Sequence, residues 1–386
     1  MKRIAILGST GSIGTQALSV IEKNRDRFEV VSLAANSNTE LLYKQIKTFR
    51  PHKAVLSDEK AADRLRSMLK GREKTEILQG SSGLKEISSD RKTDIILVAV
   101  TGIGGLQSVV DALRSGLCVA LANKESLVSG GRFVTEMLKR GKGSIVPVDS
   151  EHSAIFQLLS KERRSAVSRV ILTATGGPFR GKNLSQIKNA GIEDVLRHPR
   201  WKMGKKVSVD SATMVNKAFE MIEAKWLFGF GAEDIKVVIH PQALVHSLVQ
   251  LRDGSYLAHI GPTDMRIPIG YALSYPDRLD NIMKNVHLSD LEDITFERVK
   301  PPFDRPLDIA RKIIDEDNDM GIVFNAADEV AVEYFLSKRI SFGEIQKIIE
   351  YSLKHFRPYG IRTLTDVMLF DADIKNFIKK HIDERY

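Results

Sequence analysis

Residues 147–152 read PVDSEH and set two carboxylates, Asp149 and Glu151, one residue apart at the end of the apolar run SIVPVD. In an extended chain, residues i and i+2 project to one face, so both acids aim into one volume. At ~4 Å two such charges repel by ~4 kcal/mol at an effective dielectric of about 20, more than a helix dipole usually offsets. One acid must take a proton, move away or share a cation. The competing reading makes Ser150 the N-cap of a helix through SAIFQLL, with the acids decorating its first turn. On the hexapeptide alone, the cap is the stronger reading.

A second stretch shifts the balance. Residues 208–229, SVDSATMVNKAFEMIEAKWLFG, predict a helix from about Ala212 with Ser211 or Asp210 as its N-cap. Asn216 and Glu220 then share a face at i, i+4, with Lys217 adjacent, on a helix otherwise apolar through Met214, Phe219, Met221, Ile222, Trp226 and Leu227. A solvated face also accounts for Lys217 and Glu223. If this helix packs beside SIVPVDSE, Glu220 becomes a third oxygen ligand. Three carboxylates without clustered cysteine or histidine suit a hard ion, Mg2+ or Mn2+, rather than structural zinc. Ser211 and Asn216 near a helix N-terminus, Lys217, and the turn Thr175, Gly176, Gly177 could then hold a substrate phosphate. The basic loop HPRWKMGKK, 198–206, could close over anionic ligands. Against this, Trp201 is readable as a core anchor and the loop lysines as solvated. His198 and His240, each before a proline, are as readily structural as catalytic.

Elements must position these groups. The first 150 residues alternate apolar runs (RIAILG, FEVVSLA, KAVLS, DIILVAV, LCVALAN) with helical periodicity, which predicts βαβ units and a Rossmann-like parallel sheet. GSTGSIG puts Gly8, Gly11 and Gly14 between the first strand and a helix, where backbone amides can cradle a pyrophosphate. Its G-x-x-G-x-x-G spacing departs from the usual dinucleotide fingerprint, and a ligand-free tight turn is the alternative. The second strand ends in ANSN without the acid that holds an NAD ribose. Asn36, Ser37 and Asn38 can instead donate to a 2'-phosphate, favouring NADP, or can merely cap the next helix. Lys124, in LANKES, follows a parallel strand at the ligand-binding edge and could polarise a carbonyl or simply be solvated.

Beyond residue 149, SRVILTAT, IKVVIH, ALVHSLVQL and SYLAHIG predict a mostly antiparallel α+β domain with a hairpin at Arg252, Asp253 and Gly254. Prolines at 276, 301, 302 and 306 mark a connecting segment. Helical patterns at 307–316, 322–337, 343–356 and 365–384 predict an antiparallel four-helix bundle. The expected organisation is therefore a nucleotide-binding domain at 1–149, an α+β domain at 150–275, a linker at 276–306 and a helical domain at 307–386.

A chain of 386 residues is long enough for two or three domains, and 42% hydrophobic with 28% charged residues fits a globular protein. The net charge of +9 favours an anionic partner. Its basic residues are scattered and carry no helix-turn-helix, zinc-finger or aromatic RNA-binding pattern, so nucleic acid is not the expected partner. The single cysteine, Cys118, fits reducing cytoplasm. No apolar run approaches the ~18 residues of a membrane span, and MKRIAILG enters a strand without a signal peptide's apolar region.

Taken together and in order, GSTGSIG, ANKES, PVDSEH, TGGPF, HPRWKMG, SVDSATMVNKAFEMIEA, VIHPQALVHS, DMRIPIGYAL and NAADEVAV resemble the 1-deoxy-D-xylulose-5-phosphate reductoisomerase family of non-mevalonate isoprenoid biosynthesis. The resemblance implies a V-shaped homodimer whose subunits carry an NADPH domain, a central catalytic and dimerising domain, and a helical domain. It implies rearrangement of 1-deoxy-D-xylulose 5-phosphate and reduction by NADPH to 2-C-methyl-D-erythritol 4-phosphate. On matching positions, Asp149, Glu151 and Glu220 would bind Mg2+ or Mn2+, and Lys124, Ser150 and Glu151 would contact the ketone and hydroxyl end. Thr175, His198, Ser211, Asn216 and Lys217 would surround the phosphate. Thr10, Gly11, Ser12, Ile13, Asn36, Ser37, Asn38, Asn123, Glu125 and Gly204 would face NADPH, with the loop around Trp201 as a flap. Thr175 stands where serine is expected, Ser37 where some relatives have lysine, and Asp328 where asparagine is frequent, a matter read as local packing. A semialdehyde or homoserine dehydrogenase would share the glycine loop without needing three carboxylates. An NADP-sensing protein that binds nucleic acid would share the first domain.

Overall fold

Short runs of β-branched residues and leucine, too brief for helices and buried on both faces, pair into a seven-stranded sheet in the computed structural model. The structure describes residues 1–69, 74–201, 203–280, 282–283, 289, 293–316, 318–358 and 360–385. The strands are β1 (Lys2–Leu7), β2 (Phe28–Ala35), β3 (Lys53–Leu56), β4 (Glu76–Gln79), β5 (Ile95–Val98), β6 (Cys118–Leu121) and β7 (Ser144–Pro147). Their order is β4-β3-β2-β1-β5-β6-β7 and every pair is parallel. The chain runs outward from β1 to β4, then resumes at β5 on the other side of β1. This reversal opens the ligand-binding crevice of such sheets at the strands' carboxyl ends. At the opposite end Arg3 clamps the same two strands, donating to Asp94 from Nε at 3.1 Å and Nη2 at 2.8 Å.

The glycine loop joins β1 to the helix Ser12–Lys23. A side chain on Gly14 would stand 2.2 Å from the Gly8 carbonyl oxygen and 2.5 Å from Ser9 Cα, so only glycine lets the helix approach the turn. Ser9 is buried behind it, donating to Gln45 Oε1 and accepting from Gln45 Nε2, both at 2.8 Å.

Contacts divide the chain into two compact units: Met1–Ser126, Phe133–Ser153 and Asp264–Asn285 form one, and Leu127–Arg132, Ala154–Thr263 and Val286–Tyr386 the other. This differs from the expected boundaries. The helix Arg266–Ser274, expected in the central domain, packs on the first unit, where Lys2 Nζ donates to the carbonyls of Ser274 at 2.9 Å and Tyr275 at 2.7 Å. The C-terminal helices belong to the second unit.

That unit is built on β8 (Val167–Ala174), β9 (Ile235–Ile239), β10 (Val245–Leu251), β11 (Tyr256–Ile260) and β12 (Glu297–Arg298), ordered β11-β10-β8-β9-β12. Only β8 and β9 run parallel. The β10–β11 hairpin turns where expected, closed by Leu251 N donating to Ser255 O at 2.9 Å. Residues 281, 284–288 and 290–292 of the expected linker lie outside the described residues, but β12, within that linker, pairs with the sheet. Buried His240 is a strut. Its Nε2 accepts from Leu244 N at 3.0 Å and Val245 N at 3.1 Å, so the ring proton sits on Nδ1 and is donated to Thr295 O at 2.9 Å.

Four helices close the chain as expected: Arg305–Glu316, Met320–Leu336, Phe342–His355 and Leu364–Arg385. Met320–Leu336 is buried along most of its length, covered by the two helices that follow, while Arg305–Glu316 also packs against Val215–Phe228.

Gly14→Ala is expected to cost about 1–3 kcal/mol of stability by overpacking against backbone that cannot yield. Gly11→Ala, whose nearest obstacle is the Gly8 carbonyl oxygen at 3.3 Å, is expected to unfold close to the wild-type urea midpoint. Equal midpoints for the two variants would refute this account.

Candidate active site

In the first unit β6 and β7 end side by side, held in step by Val148 N donating to Leu121 O at 2.8 Å. The residues just beyond each strand therefore meet: Lys124 from one, Asp149 from the other. Lys124 Nζ donates to Asp149 Oδ2 at 3.1 Å, and His152 Nδ1 reaches the same oxygen at 3.2 Å. Lys124 is 9% exposed and His152 wholly buried, so this oxygen is braced by groups that lie largely out of water.

The helical reading of PVDSEH describes the backbone, with its cap displaced by one residue. The strand stops at Pro147 and the helix begins at Ser150, with Ser153 N donating to Asp149 O at 2.8 Å. Asp149, not Ser150, occupies the position before the helix, and Glu151 lies in its first turn. The two acids thus flank a strand–helix junction instead of alternating along one strand. Ser150 Oγ donates to Glu151 Oε2. His152 had no role assigned from sequence, although its i, i+3 spacing from Asp149 was the available signal.

Thr10 and Gly11 lie in the loop after β1, and Ser12 and Ile13 open the helix that follows it. Asn36, Ser37 and Asn38 are exposed just past β2, the neighbouring strand. The capping alternative holds for Asn38, whose side chain accepts from Leu41 N at 3.2 Å. Asn123 and Glu125 are buried and anchor the loop after β5. Asn123 Nδ2 donates to Val100 O at 3.0 Å, Gly102 O at 2.9 Å and Glu125 Oε2 at 2.9 Å, while Gly102 N donates to Glu125 Oε1 at 3.1 Å. These two side chains therefore shape the crevice wall. Gly204, in the second unit, precedes the helix Lys205–Thr213.

In the second unit, three of the expected phosphate residues, Thr175, His198 and Ser211, come together just past the end of β8. The turn Thr175, Gly176, Gly177 packs on the backbone of Ser211: a side chain on Gly177, at φ +64°, would stand 3.0 Å from the Ser211 carbonyl oxygen. Thr175 Oγ1 accepts from Gly177 N at 3.2 Å and meets His198 Nε2 at 3.0 Å. His198 Nδ1 accepts from Arg200 N at 3.3 Å and Trp201 N at 2.9 Å, which places the ring proton on Nε2, donated to Thr175. With its oxygen accepting twice, the threonine hydroxyl keeps its own proton for an acceptor such as a phosphate oxygen. His198 thus joins the site by orienting Thr175 and the start of the 198–206 loop. Within that loop Lys202 lies outside the described residues.

The expected single helix from Ala212 is two helices, Lys205–Thr213 and Val215–Phe228, meeting at Met214, whose φ of +68° is left-handed. Asp210 and Ser211 are accordingly helical residues and not caps. The break turns Asn216 and Lys217 into the first turn of the second helix. Both serve Glu220: Asn216 Nδ2 donates to Oε1 and Lys217 Nζ to Oε2, each at 2.6 Å. Glu220 is wholly buried. Lys206, read as solvated, is instead paired to Asp210 and Asp328, so Asp328 is an ion-pair partner beyond its packing role.

Three family models match the chain in succession. That for 1-deoxy-D-xylulose 5-phosphate reductoisomerase covers residues 4–131, its C-terminal domain 145–228, and the DXP reductoisomerase C-terminal domain 260–377. A curated 1-deoxy-D-xylulose 5-phosphate reductoisomerase of Thermoanaerobacter sp. is 47% identical over 98% of this chain and 99% of its own. That of Clostridium perfringens is 42% identical over 98% and 99%. Among solved structures, the Zymomonas mobilis enzyme in complex with NADPH is 37% identical with a TM-score of 0.91, covering 99% of each chain. A DOX-P reductoisomerase in complex with NADPH, fosmidomycin and magnesium is 34% identical with a TM-score of 0.93, covering 99% of this chain and 98% of that one. Sequence identity along nearly the whole length and the shared fold converge on one conclusion: the chain belongs to the 1-deoxy-D-xylulose 5-phosphate reductoisomerase family.

Proposed function

We propose that the chain carries out its family's NADPH- and divalent-metal-dependent conversion of 1-deoxy-D-xylulose 5-phosphate to 2-C-methyl-D-erythritol 4-phosphate with the following division of labour. Asp149 and Glu151 of the first unit and Glu220 of the second hold the cation. The observation that carries this reading is that these acids arrive already braced: Asp149 by Lys124 and His152, Glu151 by Ser150, Glu220 by Asn216 and Lys217. Ligands oriented by such outer partners suit a metal, and an all-oxygen donor set fits Mg2+ or Mn2+. When bound, the cation supplies Lewis acidity to the adjacent oxygens of the hydroxyketone, and NADPH supplies the hydride.

The chain's own groups do the rest. Lys124, Ser150 and Glu151 orient the ketone and hydroxyl end, the lysine offering a positive charge beside the reacting oxygens. The hydroxyl of Thr175, directed by His198, donates to the phosphate with Ser211, Asn216 and Lys217, and this remote binding energy positions the reacting end. Thr10, Ser12 and Ile13 present backbone amides near a helix N-terminus to the cofactor's pyrophosphate, and Gly11, whose own amide closes the turn on Gly8 O at 3.0 Å, lets the cofactor approach that turn. Asn36, Ser37 and Asn38 face its 2'-phosphate, and Asn123, Glu125 and Gly204 line its path. The loop around Trp201 shields the bound substrate from water.

The expected homodimer finds support at β11, an edge strand whose outward Tyr256, Ala258 and Ile260 are exposed. An apolar strand at the edge of the described sheet suits a second copy of the chain. The cytoplasmic reading rests on the lone Cys118, and no described helix is long and apolar enough to cross a membrane.

NADPH oxidation with 1-deoxy-D-xylulose 5-phosphate is expected to require added Mg2+ or Mn2+ and to stop with chelator. Glu220→Gln and Asp149→Asn are each expected to lower turnover roughly 100-fold or more while NADPH binding, followed by fluorescence, is preserved. Undiminished turnover in both variants would remove the metal assignment. Thr175→Val is expected to raise the KM for the sugar phosphate roughly 10- to 100-fold through a lost hydrogen bond to a charged group, whereas Thr175→Ser stays near wild type. Equal KM values for Val and Ser would show that the hydroxyl does not serve the phosphate.

A further inference from the structure

Within the second unit, next in sequence to Ser211, lies an ion group of two buried acids and a part-buried lysine that the reaction does not use directly. Lys206 Nζ donates to Asp210 Oδ2 and Asp328 Oδ2, each at 2.6 Å. Asp328, on the helix Met320–Leu336, is wholly buried and Asp210 is 3% exposed. The same ammonium lies 5.3 Å from the ring centroid of Phe219, on Val215–Phe228. One cation thus ties together three helices: its own, the one that carries Asn216 and Lys217, and the one that carries Asp328.

The group also sits at the joint between the phosphate residues. Asp210 adjoins Ser211. Its carbonyl accepts from Thr213 Oγ1 at 3.1 Å, and that hydroxyl accepts from Val215 N at 3.3 Å, bridging the two helices across left-handed Met214. The rotation of Lys205–Thr213 therefore sets where Ser211 points and where the next helix begins. Apolar packing alone tolerates sliding, whereas two charge-assisted hydrogen bonds of this length fix direction. A buried ion group of this type typically adds little stability over apolar replacements.

We propose that Lys206 and Asp328 are positioning residues for the sugar phosphate: their ion pair sets the placement of Ser211, Asn216 and Lys217. The proposal rests on the reading of those three as the phosphate site. Asp328→Leu cuts the tie to Met320–Leu336 yet leaves Lys206 paired with Asp210. Asp328→Asn keeps an oxygen acceptor for Lys206.

The test is steady-state kinetics of the full chain with magnesium, NADPH and 1-deoxy-D-xylulose 5-phosphate, alongside thermal unfolding. Asp328→Leu is expected to raise the sugar-phosphate KM about tenfold or more, as misplacement of binding groups does. Its Tm stays near wild type, the NADPH KM is unchanged, and Asp328→Asn restores the sugar-phosphate KM. An unaltered sugar-phosphate KM in folded Asp328→Leu overturns the proposal, as does a fall in Tm with both KM values rising together. Should Asp328→Leu not fold, Lys206→Arg decides, because a longer planar cation cannot meet both acids at the same point. A raised sugar-phosphate KM supports positioning and an unchanged one overturns it. Ser211→Ala separates the two levels. If it raises the sugar-phosphate KM while the Asp328 variants do not, only the positioning role fails. If it leaves that KM unchanged, the phosphate-site reading fails and the proposal with it.

Discussion

Like charges do not gather in a protein interior unless something opposes their repulsion, and in this chain the opposition is local. Asp149 is held between Lys124 and His152, and Glu220 between Asn216 and Lys217, each within its own unit. Every carboxylate assigned to the cation therefore has a defined direction and a nearby donor before any ion arrives. The same bracing constrains the surroundings: Lys124 must stand at the end of β6, Asp149 at the end of β7, and the break at Met214 must deliver Asn216 and Lys217 to the first turn of their helix.

The parallel sheet supplies the other fixed reference. Because its strands all run parallel, the loops after β1, β5, β6 and β7 all emerge at one edge, and these loops carry the groups assigned to cofactor and ketone. Several residues expected at the site also serve as braces within it. Asn123 and Glu125 spend their hydrogen bonds on the loop after β5, His240 braces two backbone stretches, and His198 aims a threonine.

Much of this was legible in the sequence because it follows from periodicity. The parallel strands, the β10–β11 hairpin, the four closing helices and the i, i+4 relation of Asn216 to Glu220 all stand where local pattern put them. What escaped was set by tertiary contact. Nothing local in SVDSATMVN marks Met214 as left-handed; the turn is stabilised by Thr213 bridging Asp210 and Val215, and by burial of Met214 itself. Lys206 read as solvated because its partner Asp328 lies 122 positions away. The strand pattern through Asp149 ran two residues too far because a helix start and a strand end look alike across PVDSEH. β12, two residues long, has no periodicity to read.

The first unit is not a continuous piece of chain. The helix Arg266–Ser274 returns to it after more than a hundred residues spent elsewhere, and the ammonium of Lys2 is tethered to the far end of that helix. During synthesis the seven-stranded sheet must therefore wait, with the apolar flank of β6 and β7 uncovered, until the ribosome has made much of the second unit. A fragment cut near residue 150 would leave that sheet without the helix that covers β6 and β7.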